Sequence, residues 1–203
     1  QDNFLQQVKD AAYKNSAVFI MDEIVTGFRY SLGGAQQYYK VIPDLACFGK
    51  GMANGFPLAC LGGKKEIMKL VAPSGDFYQA GTFSGNPITM VAGITTIKKL
   101  QTTDYKFIND RTKYLCNSIK NEAKKNNVDI QINQIGSMFS LFFTKERVIN
   151  YASAKKQDIK KFKKLYNFLF SKGILFSPSP FESNFVSFAH TDKDIEKTVS
   201  EVS

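Results

Sequence analysis

Ala17-Val18-Phe19-Ile20-Met21-Asp22-Glu23 is an unbroken apolar run that ends on two carboxylates. Strands buried on both faces of a parallel sheet read as continuous apolar runs, whereas half-exposed strands alternate. The run therefore predicts a buried parallel strand over 17–21, with Asp22-Glu23 at its C-terminal end. Upstream, Phe4-Leu5, Val8 and Ala11-Ala12 recur at helical spacing, so residues 3–14 read as an amphipathic helix leading into that strand. Two short runs repeat the pattern downstream. Leu45-Ala46-Cys47-Phe48 stops at Gly49-Lys50-Gly51, and Leu58-Ala59-Cys60-Leu61 stops at Gly62-Gly63. Open α/β sheets bind ligands beyond the carboxyl ends of such strands, which directs attention to Asp22 and Lys50.

Past Pro87, a residue that helices accept in their first turn, a helix is expected over Ile88–Leu100. From there the pattern changes. Helices at roughly 107–126 and 155–172 alternate with strands at 137–144, 174–177 and 185–189, and a short helix follows Asp192. This predicts a smaller α+β unit after an α/β one. The polar Gln101-Thr102-Thr103-Asp104 marks the boundary, giving 1–103 and 104–203 as the two domains. No internal repeat or low-complexity segment stands out.

The chain of 203 residues carries 27 Lys+Arg against 18 Asp+Glu, a formal charge of +9. Such a balance raises nucleic acid or anionic lipid as a partner. The lysines of 120–125 and 155–164 are interleaved with apolar residues as on wet helix faces, and no RNA-binding aromatic pattern or zinc-finger spacing accompanies them. Neither nucleic acid nor membrane is expected as a partner. Cys47, Cys60 and Cys116 are odd in number and lack CxxC spacing, so neither a disulfide framework nor a metal site is suggested and a reducing cytoplasm fits. No apolar stretch reaches membrane-spanning length. The sequence opens without Met and runs at once into a helical pattern, which reads as a piece of something longer.

Three segments carry chemistry that packing explains poorly in combination. Asp22 is a carboxylate delivered by a buried strand, although a charge at a strand end is ordinary by itself. Lys50 lies between two glycines after an apolar run; glycine lets backbone approach a ligand closely, and apolar surroundings favour the neutral amine needed for Schiff-base chemistry. A solvated lysine is the bland alternative. Gly81-Thr82-Phe83-Ser84-Gly85-Asn86-Pro87 brings small hydroxyl residues and glycines to a helix start, which suits a phosphate or simply a cap.

Taken in order, the acidic strand end, Pro43-Asp44, Phe48-Gly49-Lys50, Gly62-Gly63-Lys64 and Gly81-Thr82-Phe83-Ser84-Gly85-Asn86-Pro87 resemble the class III, fold-type I aminotransferases that use pyridoxal phosphate. The resemblance implies that the chain holds the C-terminal part of that fold's large domain, a mainly parallel sheet with helices, followed by a small α+β C-terminal domain. It implies that Lys50 carries the cofactor as a Schiff base and moves the substrate proton, and that Asp22 pairs with the pyridine nitrogen. It places Ile24 on the ring face, and Gly81 with Thr82 at the cofactor phosphate of a neighbouring subunit, so that the site is shared in a homodimer. Glu23 is left a supporting structural role.

Leu32-Gly33-Gly34-Ala35-Gln36, Val71-Ala72-Pro73-Ser74-Gly75, Tyr78-Gln79-Ala80-Gly81-Thr82 and Pro178-Ser179-Pro180-Phe181-Glu182 with Phe185, Ser187 and Ala189-His190-Thr191 are similar to the glutamate-1-semialdehyde 2,1-aminomutase branch. That branch makes 5-aminolevulinate for tetrapyrroles, passing through the pyridoxamine phosphate form of the cofactor. An acidic Glu182 suits a substrate amino group; a surface Glu in a turn after two prolines is the plainer reading. His190, the only histidine, reads as a capping or packing residue. Where that branch has a run of glycines, this chain has Gly51-Met52-Ala53-Asn54-Gly55, as do relatives that transfer amino groups between two molecules, some of them sugars. Intermolecular transamination is thus the alternative. An inactive fragment or dimerisation module is the rival of another class, because the family's first half supplies a phosphate-binding turn, a ring-stacking aromatic residue and most of the substrate pocket. These residues alone are expected to show little activity.

Overall fold

In the computed structural model, which describes residues 3–202, Phe4–Lys14 forms helix α1 and the chain then enters strand β1, Ile20–Asp22. Helix α2 (Gly34–Tyr39) leads to β2 (Leu45–Phe48), a 3-10 turn follows at Lys50–Met52, and β3 spans Cys60–Gly63. A short helix α3 (Lys65–Met68) and the longer α4 (Pro87–Gln101) complete the first of two compact units, which runs to Thr103. Asn86 caps α4, accepting from the amides of Ile88 at 3.0 Å and Thr89 at 3.3 Å, with Pro87 at a position that has no use for an N–H.

The sheet order is β1-β2-β3, with β1 parallel to β2 and β3 antiparallel to β2. This is mixed α/β, and less parallel than expected. The link from Phe48 to Cys60 holds only the 3-10 turn, whereas a parallel return needs a crossover helix. The first strand is also shorter than the apolar run. In the register Ile20↔Leu45, Val18 would face Pro43, which has no N–H to give to a ladder. Nor is β1 buried on both faces. Met21 is buried with Phe19, Ala35 and Val41, whereas Ile20 on the opposite face is 53% exposed.

Asp44 fastens this unit. Its carboxylate accepts from the Phe19 amide at 2.7 Å and the Tyr13 hydroxyl at 2.9 Å, and pairs with the Lys64 ammonium at 2.6 Å. The chain just ahead of β1, the head of β2, the residue after β3 and the end of α1 thus share one anion. The Lys64 hydrogen bond, followed by that of the Phe19 amide, holds Asp44 at about 2, below the usual carboxylate range.

The second unit starts at Asp104, whose side chain accepts from the Lys106 amide at 2.9 Å and opens helix α5, Tyr105–Lys125. Strands β4 (Gln131–Ile135), β5 (Met138–Phe142) and β6 (Asn184–Phe185) form an antiparallel sheet in that order. Between β5 and β6 lie α6 (Tyr151–Ala154) and α7 (Ile159–Ser171), and α8 (Asp192–Val202) follows β6. Ile108, Leu115 and Ile119 present one face of α5 to Ile132, Phe139 and Leu141 of the sheet.

Several differences from the sequence reading have local causes. Strand β4, which alternates too weakly to announce itself, pairs with β5 from Gln131↔Phe142 to Ile135↔Met138. The helix expected over 155–172 starts only at Ile159, because Asp158 caps it there, accepting from the Lys161 amide at 3.0 Å. The strand expected over 174–177 forms no ladder, since the Ser177 amide goes to Asn184 Oδ1 at 2.7 Å. The strand expected over 185–189 stops early because the Ser187 amide donates to His190 Nδ1 at 3.0 Å. Side chains take donors that a ladder would have used. Among the described residues no helix is long and apolar enough to cross a membrane.

Candidate active site

The parallel pairing of β1 and β2 builds one edge of the first unit. Asp22 lies opposite Cys47, and the Glu23 amide donates to the Cys47 carbonyl at 2.9 Å. Both strands therefore end at the same edge: one on Asp22, the other running on through Gly49 to Lys50. Side chains alternate along β1, so Met21 and Glu23 are buried while Asp22 is exposed on the opposite face. Asp22 Oδ1 accepts from the Ile24 amide at 2.9 Å, turning the chain at the strand end.

Glu23 anchors that turn. Its side chain is fully buried and accepts from the Ala35 amide at 2.8 Å, the Gln36 amide at 2.7 Å and the Thr26 hydroxyl at 2.5 Å. The Ala35 and Gln36 amides lie in the first turn of α2, where a helix offers unpaired donors and favours an anion. Gly34 makes room for the carboxylate. Its φ is +71°, and a Cβ there would lie 2.5 Å from Glu23 Oε2.

Lys50 is exposed and has φ +41°, a region that non-glycine residues enter at a cost of roughly 1–3 kcal/mol. The Met52 amide closes the turn onto the Gly49 carbonyl at 2.9 Å. Ile24 lies beside Gly49, whose added Cβ would stand 3.7 Å from Ile24 Cγ2. Gly27 lets Phe48 pack on the 24–27 backbone, and the Phe28 and Phe48 rings meet at 5.8 Å. Gly93 brings α4 close to the same region, since a Cβ there would be 2.5 Å from Leu58 Cδ2. Of the residues that depart from the glycine run, Met52 and Ala53 are buried and Asn54 is exposed. Asn54 and Gly55 keep positive φ values of +49° and +102°.

The structure thus brings Asp22, Ile24 and Lys50 to one edge. Gly81 and Thr82 sit in an exposed turn whose bonds run within itself: the Ser84 amide to the Gly81 carbonyl at 2.9 Å, and the Asn86 amide to the Phe83 carbonyl at 3.1 Å. Glu182 belongs to the second unit. It is exposed in the turn after Pro178 and Pro180, its amide donates to the Ser179 carbonyl at 3.2 Å, and it lines a cavity of about 630 Å³ with Phe139, Phe176 and Val186. Sequence reasoning passed over Gln157 and Asn184, which hold this turn; polar residues in a polar stretch give no signal of burial. Burial pushes the Cys116 thiol up to about 12, leaving it unreactive. Among the described residues no cluster of three or more His, Cys, Asp or Glu could hold a metal.

Residues 1–199 match the family model described as aminotransferase class-III. The glutamate-1-semialdehyde 2,1-aminomutase of Wigglesworthia glossinidia brevipalpis is 47% identical over 201 residues, covering 98% of this chain and 46% of that protein. A β-phenylalanine aminotransferase from Variovorax paradoxus superimposes with a TM-score of 0.89 at 26% identity, over all of this chain and 47% of its own. A glutamate-1-semialdehyde-aminomutase from Pseudomonas aeruginosa PAO1 in complex with PMP shares the fold with a TM-score of 0.87 at 18% identity, again over 100% of this chain and 47% of that one. The chain spans about half the length of the curated relatives it matches.

Proposed function

This chain belongs to the class-III aminotransferase family, and on that premise we propose that it is the lysine-bearing portion of a glutamate-1-semialdehyde 2,1-aminomutase that uses pyridoxal 5'-phosphate. The observation that carries the reading is the parallel β1–β2 pairing, which ends one strand on the exposed Asp22 and runs the other on to the exposed Lys50, with Ile24 beside Gly49. An acid, a primary amine and an apolar side chain at one open edge are the donor set such a cofactor requires. Residues 1–103 are assigned to the cofactor-binding domain and 104–203 to the small C-terminal domain.

When bound, pyridoxal phosphate supplies an electron sink for the carbanion left as a proton departs from the substrate's amino-bearing carbon. Asp22 would hold the ring nitrogen, its negative charge favouring a proton there. Ile24 would cover the ring face. Lys50 would tether the cofactor through Nζ; once released, Nζ would carry the proton between the substrate carbon and the cofactor carbon, taking it from one and, as the ammonium, delivering it to the other. Gly81 and Thr82, exposed on their turn, are assigned to the phosphate held by a second subunit of a homodimer. Glu182 is assigned to the amino group of the substrate, a small amino-carbonyl compound.

The identity of 47–48% to glutamate-1-semialdehyde 2,1-aminomutases over nearly the whole chain supports aminomutase over intermolecular transfer. The test is to load the full-length polypeptide with pyridoxal phosphate, reduce with borohydride and map the adduct. The expected result is a reduced adduct on Lys50, formation of 5-aminolevulinate from glutamate-1-semialdehyde, and loss of both in Lys50→Ala. Near-normal turnover by Lys50→Ala refutes the assignment. An adduct on Lys50 with transfer only between two molecules overturns the aminomutase reading and leaves the family chemistry standing.

A further inference from the structure

The turn that carries Glu182 is held from three sides, all within the second unit. At its base, the Ser177 amide donates to Asn184 Oδ1 at 2.7 Å, and Asn184 lies opposite Phe139 of β5. On the sheet side, the hydroxyls of Ser140 and Ser183 meet at 3.2 Å. The third hold comes from the link between α6 and α7. Gln157, 5% exposed, donates from Nε2 to the Ala154 carbonyl at 3.0 Å and the Pro180 carbonyl at 3.3 Å. The link itself is pinned to the end of β5 by the Asp158 amide, which donates to the Phe143 carbonyl at 2.9 Å. Tyr151 of α6 adds a ring contact to Phe181 at 5.6 Å.

Gln157 is a poor choice for stability alone. Its amide cannot turn over, because Oε1 would then face the two carbonyls that Nε2 now serves. Held this way, Oε1 is buried and meets no hydrogen-bond partner among the described residues. A stranded buried carbonyl is destabilising, and a methionine would fill similar volume without one. The gain that offsets this is the bond to Pro180, two residues ahead of Glu182. We propose that Gln157 is a positioning residue, which fixes the Pro178–Ser183 turn so that the Glu182 carboxylate meets the substrate amino group. The inference rests on the role assigned to Glu182 above, and names the group that acts through it.

A double-mutant cycle on the cofactor-loaded full-length enzyme tests this, read on whichever amino transfer that enzyme performs. Gln157→Met is expected to lower kcat/KM about tenfold, with unchanged cofactor absorbance and a urea midpoint equal to or above that of the parent. Glu182→Gln is expected to lower it at least as much. In the Glu182→Gln background, adding Gln157→Met should cost less than about twofold, because the group it positions is already lost. Ser183→Ala, which releases the same turn from the sheet side, should behave likewise and covers the case in which Gln157→Met does not fold. Losses that multiply independently, or a full-activity Gln157→Met or Glu182→Gln, overturn the proposal. A cofactor adduct absent from Lys50 in the parental enzyme would instead overturn the reading on which it rests.

Discussion

Replacing Glu23 by Ala takes away the acceptor for the Ala35 amide, the Gln36 amide and the Thr26 hydroxyl at once. The magnitude follows from what each donor can find instead. Ala35 is buried, so its N–H is left unpaired at a cost of about 1–3 kcal/mol. Gln36 and Thr26 are half-buried, so water replaces part of what they lose. The favourable meeting of an anion with a helix start, about 0.3–1 kcal/mol, is lost as well. Against these stands the relief of a desolvated charge. The net expectation is a loss of about 3 kcal/mol, which is about 1.5 M in urea midpoint for an m-value near 2 kcal/mol/M. Glu23→Gln keeps one carbonyl oxygen but turns an amide N–H toward a donor, so about half the loss is expected. Urea unfolding followed by far-ultraviolet circular dichroism gives the midpoints, and amide exchange at Ala35 and Gln36 reports the local opening. A Glu23→Ala shift within about 0.5 kcal/mol of the parent, the range of ordinary surface substitutions, would refute the anchor.

Gly34→Ala should destabilise the first unit by more than about 1 kcal/mol, from positive φ and from a Cβ forced against Glu23 Oε2; a matching loss in the Glu23→Ala background would show that the clash is not the cause. Asp44 has its folded pKa depressed to about 2, so its contribution is present above the ordinary carboxylate range and is lost as pH falls from about 4 through 2. Urea midpoints measured from pH 5 downward should fall over that window in the parent and lack that component in Asp44→Asn; parallel profiles would remove Asp44 as the acid-sensitive clasp.

How far the sequence reveals this fold depends on whether an element is specified by its own residues or by a partner. The Asp22 strand end, the Lys50 turn and the capped start of α4 are legible because an apolar run closed by acids, a glycine-flanked lysine and Asn86-Pro87 are local signals. The extent of β1 is not local, since it is cut short by Pro43 on the neighbouring strand in a register that only pairing defines. The missing ladder at 174–177 and the early end of β6 are decided by Asn184 Oδ1 and His190 Nδ1, side chains that accept what a strand would otherwise donate. Gln157 lies beyond sequence reasoning for the same cause, its burial and its bond to Pro180 being set by the return of the chain.

The edge that holds Asp22 and Lys50 also shows why Asp22 and Glu23 are not interchangeable. The period of a strand sends neighbouring side chains to opposite faces, so of two adjacent carboxylates one must point in and one out. Glu23 points in and is consumed by the start of α2, which fixes the backbone from 23 to 36. Asp22 points out from a backbone held rigid on its other side, and accepts from the Ile24 amide two residues on. In the role proposed for Asp22, a group that meets a cofactor at a set place needs such a support, because small displacements of reacting groups are costly in rate. Asp22 therefore depends on Glu23 for its direction, and weakening the Glu23 anchor should loosen the Asp22 edge before it unfolds the unit.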